Sequence, residues 1–278
     1  MFRRFGSAVT LIQRDEQLLS REDRDVADEV AAILAADGVD IIVGADVVGV
    51  SAVADGVRVD YRVGRGSSLD MAPRELRGSQ LLVATGRTPN SGDLGLAAAG
   101  VATDERGYIR VNERLETTAR GVYAIGDVKG GPAFTHISYD DFRVLRANLL
   151  NGGNATIAGR LVPYTVFIDP QLGRIGLTEK EATAKGLSVR VATLPMSSVA
   201  RALEIDETHG FMKALVDEQS GMILGAAVLG VEGGEIAALF QLAMMGRLHY
   251  SALRDGVFSH PTIAEALNNI FTAMDRAS

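Results

Sequence analysis

The run Asn151-Gly152-Gly153-Asn154 most constrains how this chain folds. Two glycines between two asparagines suit neither a helix nor a strand, so the run marks a linker and a domain boundary. The patterns on its two sides differ. Before it, short β-rich apolar runs are interspersed with helical patterns, as in an open α/β sheet. After it, four strand patterns and three helical ones describe a compact α+β module with a three-stranded or larger antiparallel sheet. A length of 278 residues gives room for about two domains and a substantial core.

The detail supports this division. Residues 8–12 read as a strand. Ser20 and Asp23 signal the N-terminus of a helix over 22–36, with Val26, Val30, Ile33 and Leu34 on one face. Gly38 ends that helix and 39–43 is the next strand. Residues 47–53 and 57–63 pair as antiparallel strands around Asp55-Gly56, and 80–84 reads as a further buried strand. A nucleotide-binding α/β domain opens with a strand, a Gly-rich turn and a helix. This chain reads as starting inside that first helix, with residues 1–6 its last turn and Gly6 past its end. A helix is expected over 138–150. Beyond the linker, strands are expected at 164–169, 188–194, 210–216 and 223–229. Thr178-Glu179-Lys180-Glu181 forms a capping box for a helix to Lys185. Helices over 233–245 and 263–274 close the chain.

Composition narrows the function. A formal charge of −7 argues against a general nucleic-acid binder, which carries a basic face. No apolar run reaches the roughly 20 residues of a membrane span. The basic start Met1-Phe2-Arg3-Arg4 lacks an apolar segment and a cleavage site behind it, so a cytoplasmic location is expected. There is no cysteine, hence no disulfide and no zinc–thiolate site.

Three motifs carry chemistry. Val83-Ala84-Thr85-Gly86-Arg87-Thr88-Pro89-Asn90 is a strand leaving through a Gly turn. Tyr123-Ala124-Ile125-Gly126-Asp127-Val128 ends an apolar strand in Gly and then a carboxylate. Gly permits close backbone approach, and the Asp can accept hydrogen bonds from sugar-like hydroxyls; a plain Asx turn is the simpler alternative. His260-Pro261-Thr262-Ile263-Ala264-Glu265 can form an acid/base pair in which the Glu265 carboxylate orients the His260 imidazole. The same segment is also a T-x-x-E capping box, with Glu265 closing on Thr262, and the two roles are not exclusive.

In order and spacing these motifs strongly resemble the pyridine nucleotide-disulfide oxidoreductases, flavoenzymes that include dihydrolipoamide dehydrogenase, glutathione reductase and mercuric reductase. The resemblance also rests on Val166-Phe167-Ile168-Asp169-Pro170 and Gly176-Leu177-Thr178-Glu179, and it covers the whole chain. Phe134-Thr135-His136-Ile137-Ser138-Tyr139-Asp140-Asp141 is most similar to the mercuric-reductase-like branch, which also holds bacterial reactive-chlorine-resistance flavoproteins.

The resemblance implies an α/β plus α+β fold: incomplete doubly wound FAD- and NAD(P)-binding domains followed by an α+β interface domain. The implied divisions are a remnant of the NAD(P)-binding domain at 1–82, part of the FAD-binding domain at 83–151 and the dimerisation domain at 162–278. Asp127 would bind the ribityl chain of FAD, with Gly126 allowing the approach and Val128 beside the isoalloxazine and phosphates. Gly86 and Arg87 would sit at the crossover between nucleotide domains. His260 would handle the proton of a redox-active thiol, with Glu265 orienting it, across a homodimer interface. In NAD-specific members the strand read here as residues 9–12 ends in an acidic residue; here Ile12-Gln13-Arg14 suits a 2′-phosphate, so NADPH is favoured over NADH and Arg14 would be its contact.

The departures are as informative. Neither G-x-G-x-x-G loop of the family is present, nor its CxxxxC pair. Phosphate binding relies on such loops and on helix N-termini, so weak binding of FAD and NAD(P)H is expected, and the thiol–disulfide step lacks its thiols. The chain reads as the C-terminal part of such an enzyme: a gene fragment, an internal start at Met1 or a truncated gene model. The ending Ala273-Met274-Asp275-Arg276-Ala277-Ser278 lacks the cysteine pair of mercuric reductases proper, which disfavours Hg(II), and the His260-Pro261-Thr262-x-x-Glu265 segment suits disulfide handling better. The alternatives are a non-catalytic dimerisation or binding module, and a pseudoenzyme paired with a separate N-terminal chain.

Overall fold

A computed structural model describes residues 1–64 and 72–276; Ala277 and Ser278 of the closing segment fall outside them. The chain forms two compact units, Met1–Leu82 with Pro163–Ser278, and Val83–Val162.

In the first unit, residues Phe2–Phe5 make one 3-10 turn, and the Gly6 N–H closes it on the Arg3 and Phe2 carbonyls. β1 (Val9–Ile12) pairs in parallel with β2 (Val39–Ile42), with α1 (Arg24–Ala36) between them. β3 (Ala45–Val53), β4 (Gly56–Val63) and β5 (Arg74–Gly78) form an antiparallel meander. The expected strand at 80–84 is absent. Leu81, Leu82 and Val83 are 45%, 78% and 69% exposed. An apolar run becomes a strand only beside a partner, and no described strand pairs with it.

The C-terminal part carries β6 (Tyr164–Val166), β7 (Gln171–Gly176), α3 (Glu179–Ala184), β8 (Val189–Pro195), α4 (Ala200–Glu204), β9 (Phe211–Asp217), β10 (Ile223–Gly230), α5 (Gly233–Met245), α6 (Ser251–Arg254) and α7 (Ala266–Arg276). Its five strands form one antiparallel sheet in the order β6-β7-β10-β9-β8. α5 lies on β7 and β10 at close range. A β-carbon on Gly173 would lie 2.2 Å from the Gly233 carbonyl oxygen, so only glycine permits this helix–sheet distance.

The other sheet region receives α1. Val26, Val30 and Ile33 recur at helical spacing and are buried with Leu172, Ala227 and Leu229 of β7 and β10. Each such side chain contributes about 1.5–3 kcal/mol of burial. Residues 11–41 therefore share a core with the C-terminal sheet.

Buried charges reinforce that junction. The helix starts at Arg24 rather than 22, and Asp23 occupies its N-cap position without a side-chain cap bond. The Asp23 carboxylate accepts instead the Glu179 and Lys180 N–H groups of α3, at 3.1 and 3.3 Å. α3 has in addition the expected capping box: Thr178 accepts the Glu181 N–H at 3.0 Å and Glu181 accepts the Thr178 N–H at 2.9 Å. Lys213 of β9 is fully buried. Its ammonium lies 3.2 Å from Asp23 and 2.8 Å from Asp25, and also contacts Glu179. These three carboxylates cluster closely enough for a metal ion, but the ammonium serves them. Burial opposes the charge on Lys213, and hydrogen bonds to Asp25 and Glu179 outweigh it, raising its pKa. Burial likewise opposes the charge on Asp23, and the Glu179 N–H and the Lys213 charge outweigh it, lowering its pKa. Nearby, Tyr164 donates to Glu22, whose carboxylate faces Arg174 at 3.7 Å. Burial, then the Glu22 charge, raises the Tyr164 phenol far above its ordinary value.

The second unit has little regular structure: bridges Thr103↔Ile109 and Glu116↔Tyr123, a small core of Val101, Ile109 and Ala124, and α2 (Thr135–Leu150). Helix α2 begins three residues before the expected 138. The linker at 151–154 does not end the unit, whose boundary lies at Val162. The following residues are tied back: Gly153 N–H to the Ala147 carbonyl at 2.9 Å, Ala155 N–H to Asn148 at 2.7 Å, Ile157 N–H to the Glu113 carbonyl at 2.9 Å. Among the described residues no helix is long and apolar enough to cross a membrane.

Candidate functional site

The Tyr123–Asp127 segment approaches in extended form and turns sharply at Gly126, where φ is +70° and a 3-10 turn over Gly126–Lys129 begins. A β-carbon there would also lie 2.9 Å from Ser138 Oγ. Conformation and space both demand glycine. Asp127 then faces Arg87, whose Nη1 donates to its carboxylate at 3.0 Å; the two side chains are 54% and 71% exposed. Both line an open cavity of about 680 Å³. Ile125, Gly126, Phe134 at the N-cap of α2, Thr135, Tyr139 and Phe142 are among its other walls.

This cavity offers a carboxylate, a guanidinium, a helix N-terminus whose dipole favours partial negative charge, and aromatic faces. That combination suits a flat conjugated ligand carrying hydroxyl groups. Its volume lies within the range of small-molecule sites, about 300–1,000 Å³.

The structure brings Arg87, Gly126 and Asp127 together. Gly86 adopts φ +127° beside them and does not line the cavity. Val128 turns the other way: its side chain packs on Val101, Ile109 and Ala124, and its carbonyl accepts the Ile109 N–H at 2.9 Å. Arg14, two residues beyond the β1–β2 ladder, is exposed and makes no ion pair among the described residues.

In the other unit, His260 Nδ1 lies 2.9 and 3.1 Å from the two Glu265 carboxylate oxygens. His260 is 69% exposed and Glu265 17%. A carboxylate only accepts, so Nδ1 carries the hydrogen, and in the neutral ring Nε2 is then the nitrogen with the lone pair. The capping box expected here is divided. Thr262 Oγ1 accepts the Glu265 N–H at 3.2 Å and donates to the Ser259 carbonyl at 2.7 Å, whereas the Glu265 carboxylate serves His260. The helix itself begins at Ala266.

Asp141 was not singled out as a site residue from the sequence. Its side chain is fully buried at 0% exposure, and it accepts the Gly126 N–H at 2.9 Å while contacting Lys129 and Arg160. A readable signal existed: Asp141 falls between Ile137 and Val144 on the buried face of α2, and a charge in an apolar stripe needs partners.

Residues 1–141 match the family described as Pyridine nucleotide-disulphide oxidoreductase. Residues 162–270 match the Pyridine nucleotide-disulphide oxidoreductase, dimerisation domain. The chain is 41% identical over 273 residues to a probable pyridine nucleotide-disulfide oxidoreductase, RclA, of Escherichia coli K12, covering 98% of this chain and 60% of that protein. It is 35% identical to a dihydrolipoyl dehydrogenase of Thermus scotoductus (99% and 59% covered) and 32% identical to a mercuric reductase of Bacillus cereus (99% and 43%). The solved Cu(II) complex of the HOCl-induced flavoprotein disulfide reductase RclA from Escherichia coli superposes with a TM-score of 0.88 at 40% identity, over 98% of this chain and 61% of that one. The chain thus spans about 60% or less of the length of these relatives.

Proposed function

Because the chain belongs to the pyridine nucleotide-disulphide oxidoreductase family, we propose that it supplies one wall of the flavin site and the dimerisation surface of an FAD-dependent NAD(P)H oxidoreductase. The observation that carries this is the Gly126 turn with Asp127 and Arg87 at the mouth of a cavity closed by the N-terminus of α2. The residues present fit such a group. Asp127 accepts hydroxyl hydrogens of a ribityl chain, Gly126 lets the backbone approach, and Phe134, Tyr139 and Phe142 offer apolar faces. When bound, the flavin supplies the hydride acceptor between NAD(P)H and a disulfide.

The chain's own acid/base group is His260. Glu265 fixes its ring through Nδ1, leaving Nε2 to take a proton from a thiol and return it. These 278 residues hold no cysteine, so the thiols come from outside them, and in this reading the pair acts across a homodimer on the other subunit's thiols. Arg14 at the end of β1 favours NADPH, its guanidinium meeting a 2′-phosphate. The electron acceptor is a disulfide in preference to Hg(II).

Quenching of FAD fluorescence on titration with the protein tests the reading. Weak, saturable quenching that is abolished in Asp127→Ala is expected. No saturable binding, or equal binding by Asp127→Ala, refutes it. A second reading, a dimerisation module without redox chemistry, is favoured by the absence of cysteine together with exposed Leu242 and Met245 on α5 (62% and 64%). It expects a dimer in sedimentation that does not respond to FAD.

A further inference from the structure

The acceptor of the Gly126 N–H is unusual for a surface turn. Asp141 lies 15 residues downstream, on α2, with a side chain wholly out of water. Its Oδ2 accepts the Gly126 N–H at 2.9 Å and lies 3.3 Å from Lys129 Nζ. Its Oδ1 accepts from Arg160 Nη1 at 2.7 Å. Lys129 is itself 5% exposed and Arg160 15%. A carboxylate is buried at tolerable cost only when paired and hydrogen-bonded, and here each oxygen meets a cation. A space-filling role at this position would need none of these charges; a Leu would serve. The charge is placed where it grips one backbone N–H.

That N–H belongs to the peptide that sets the turn. Gly126 is in the left-handed region, and Asp127 leaves the backbone one residue later to face the cavity and Arg87. Fixing the Ile125–Gly126 peptide fixes the direction in which Asp127 departs. We propose that Asp141, held by Lys129 and Arg160, is a positioning residue that clamps the Gly126-Asp127 turn so that Asp127 is presented to the hydroxyl groups of the bound flavin. This deepens the flavin-site reading above and rests on it for the identity of the ligand.

Amide hydrogen exchange of the full chain, compared between Gly126 and the centre of α2, reads the clamp directly. A bond to a charged acceptor is strong enough that its loss in Asp141→Ala accelerates Gly126 exchange by roughly tenfold or more, with α2 protection kept. Asp141→Asn keeps an acceptor oxygen of the same shape and gives an intermediate acceleration, which a purely steric role does not. If Asp141→Ala does not fold, Arg160→Gln and Lys129→Met carry the test, because they loosen the carboxylate without removing it; faster Gly126 exchange in either supports the clamp. Gly126 exchange unchanged relative to α2 in every folded variant overturns it. Titration with FAD separates the two claims. Accelerated exchange in a protein that never binds FAD keeps the clamp and removes the flavin reading. FAD binding of equal strength in wild type and Asp141→Asn keeps the flavin reading and removes the clamp.

Discussion

Replacing Lys213 by Met tests whether the buried charges described above hold the molecule together. The substitution keeps length and volume and removes one ammonium. Breaking a fully buried ion pair from one side costs about 3–5 kcal/mol, because the other charge is left stranded. Here the cost is smaller. Asp25 and Glu179 are 49% and 43% exposed and regain water. Only Asp23, at 7%, stays buried, and it keeps the Glu179 and Lys180 N–H groups. The net expectation is about 2–3 kcal/mol, or a fall in melting temperature of roughly 5–10 °C for a unit of this size. Urea denaturation followed by circular dichroism measures the first, calorimetry the second. Asp25→Asn, touching a half-exposed partner, costs under about 1 kcal/mol. The pH dependence has a definite sign. Asp23 is depressed in the folded state, so its contribution is present above the ordinary carboxylate range and lost as pH falls through its folded value. Lys213 is raised, so its contribution is complete below the ordinary lysine value and lost as pH climbs beyond it. The difference between wild type and Lys213→Met is therefore flat between about pH 5 and pH 10 and shrinks on both sides. A Lys213→Met protein as stable as wild type refutes the reasoning: desolvation of the ammonium then outweighs all three carboxylates.

The segment around His260 separates two roles. Thr262→Ala costs about 0.5–2 kcal/mol in urea denaturation and leaves the His260 tautomer, read by nitrogen NMR, unchanged; Glu265→Gln shifts the tautomer and changes stability by less than about 0.5 kcal/mol. The reverse pattern means that Glu265 is a capping residue after all. Gly126→Ala is expected to cost about 1–3 kcal/mol from its left-handed backbone, with a further steric part that Ser138→Ala relieves in the double variant; a neutral Gly126→Ala removes the argument for a constrained turn.

The sequence disclosed what short-range chemistry controls. α1 and its apolar face, the β3–β4 hairpin and the Thr178 capping box depend on residues within a few positions of one another. The Gly126-Asp127 turn and the His260–Glu265 pair were legible for the same reason. What escaped depends on distant partners. Residues 80–84 are apolar enough for a strand but have no strand beside them among the described residues. Arg74–Gly78 carries a single large apolar residue, Leu76, and is a strand only because β4 lies beside it. Asp23 has the right identity for an N-cap, yet its carboxylate serves a helix 156 residues away. Separation in sequence likewise hid Lys213 among its acids, 188 residues from Asp25. Val128 shows that a residue can belong to a binding motif while its side chain serves the core.

The shared core of α1 and the C-terminal sheet has a consequence for synthesis. Val26, Val30 and Ile33 leave the ribosome roughly 140 to 200 residues before Leu172, Ala227 and Leu229, which cover them. At about 5–20 residues per second this apolar stripe waits some ten to forty seconds for its cover. During that interval the nascent chain displays an apolar helix face that a chaperone binding such faces can hold. The helix face is made before its cover and completed only by it.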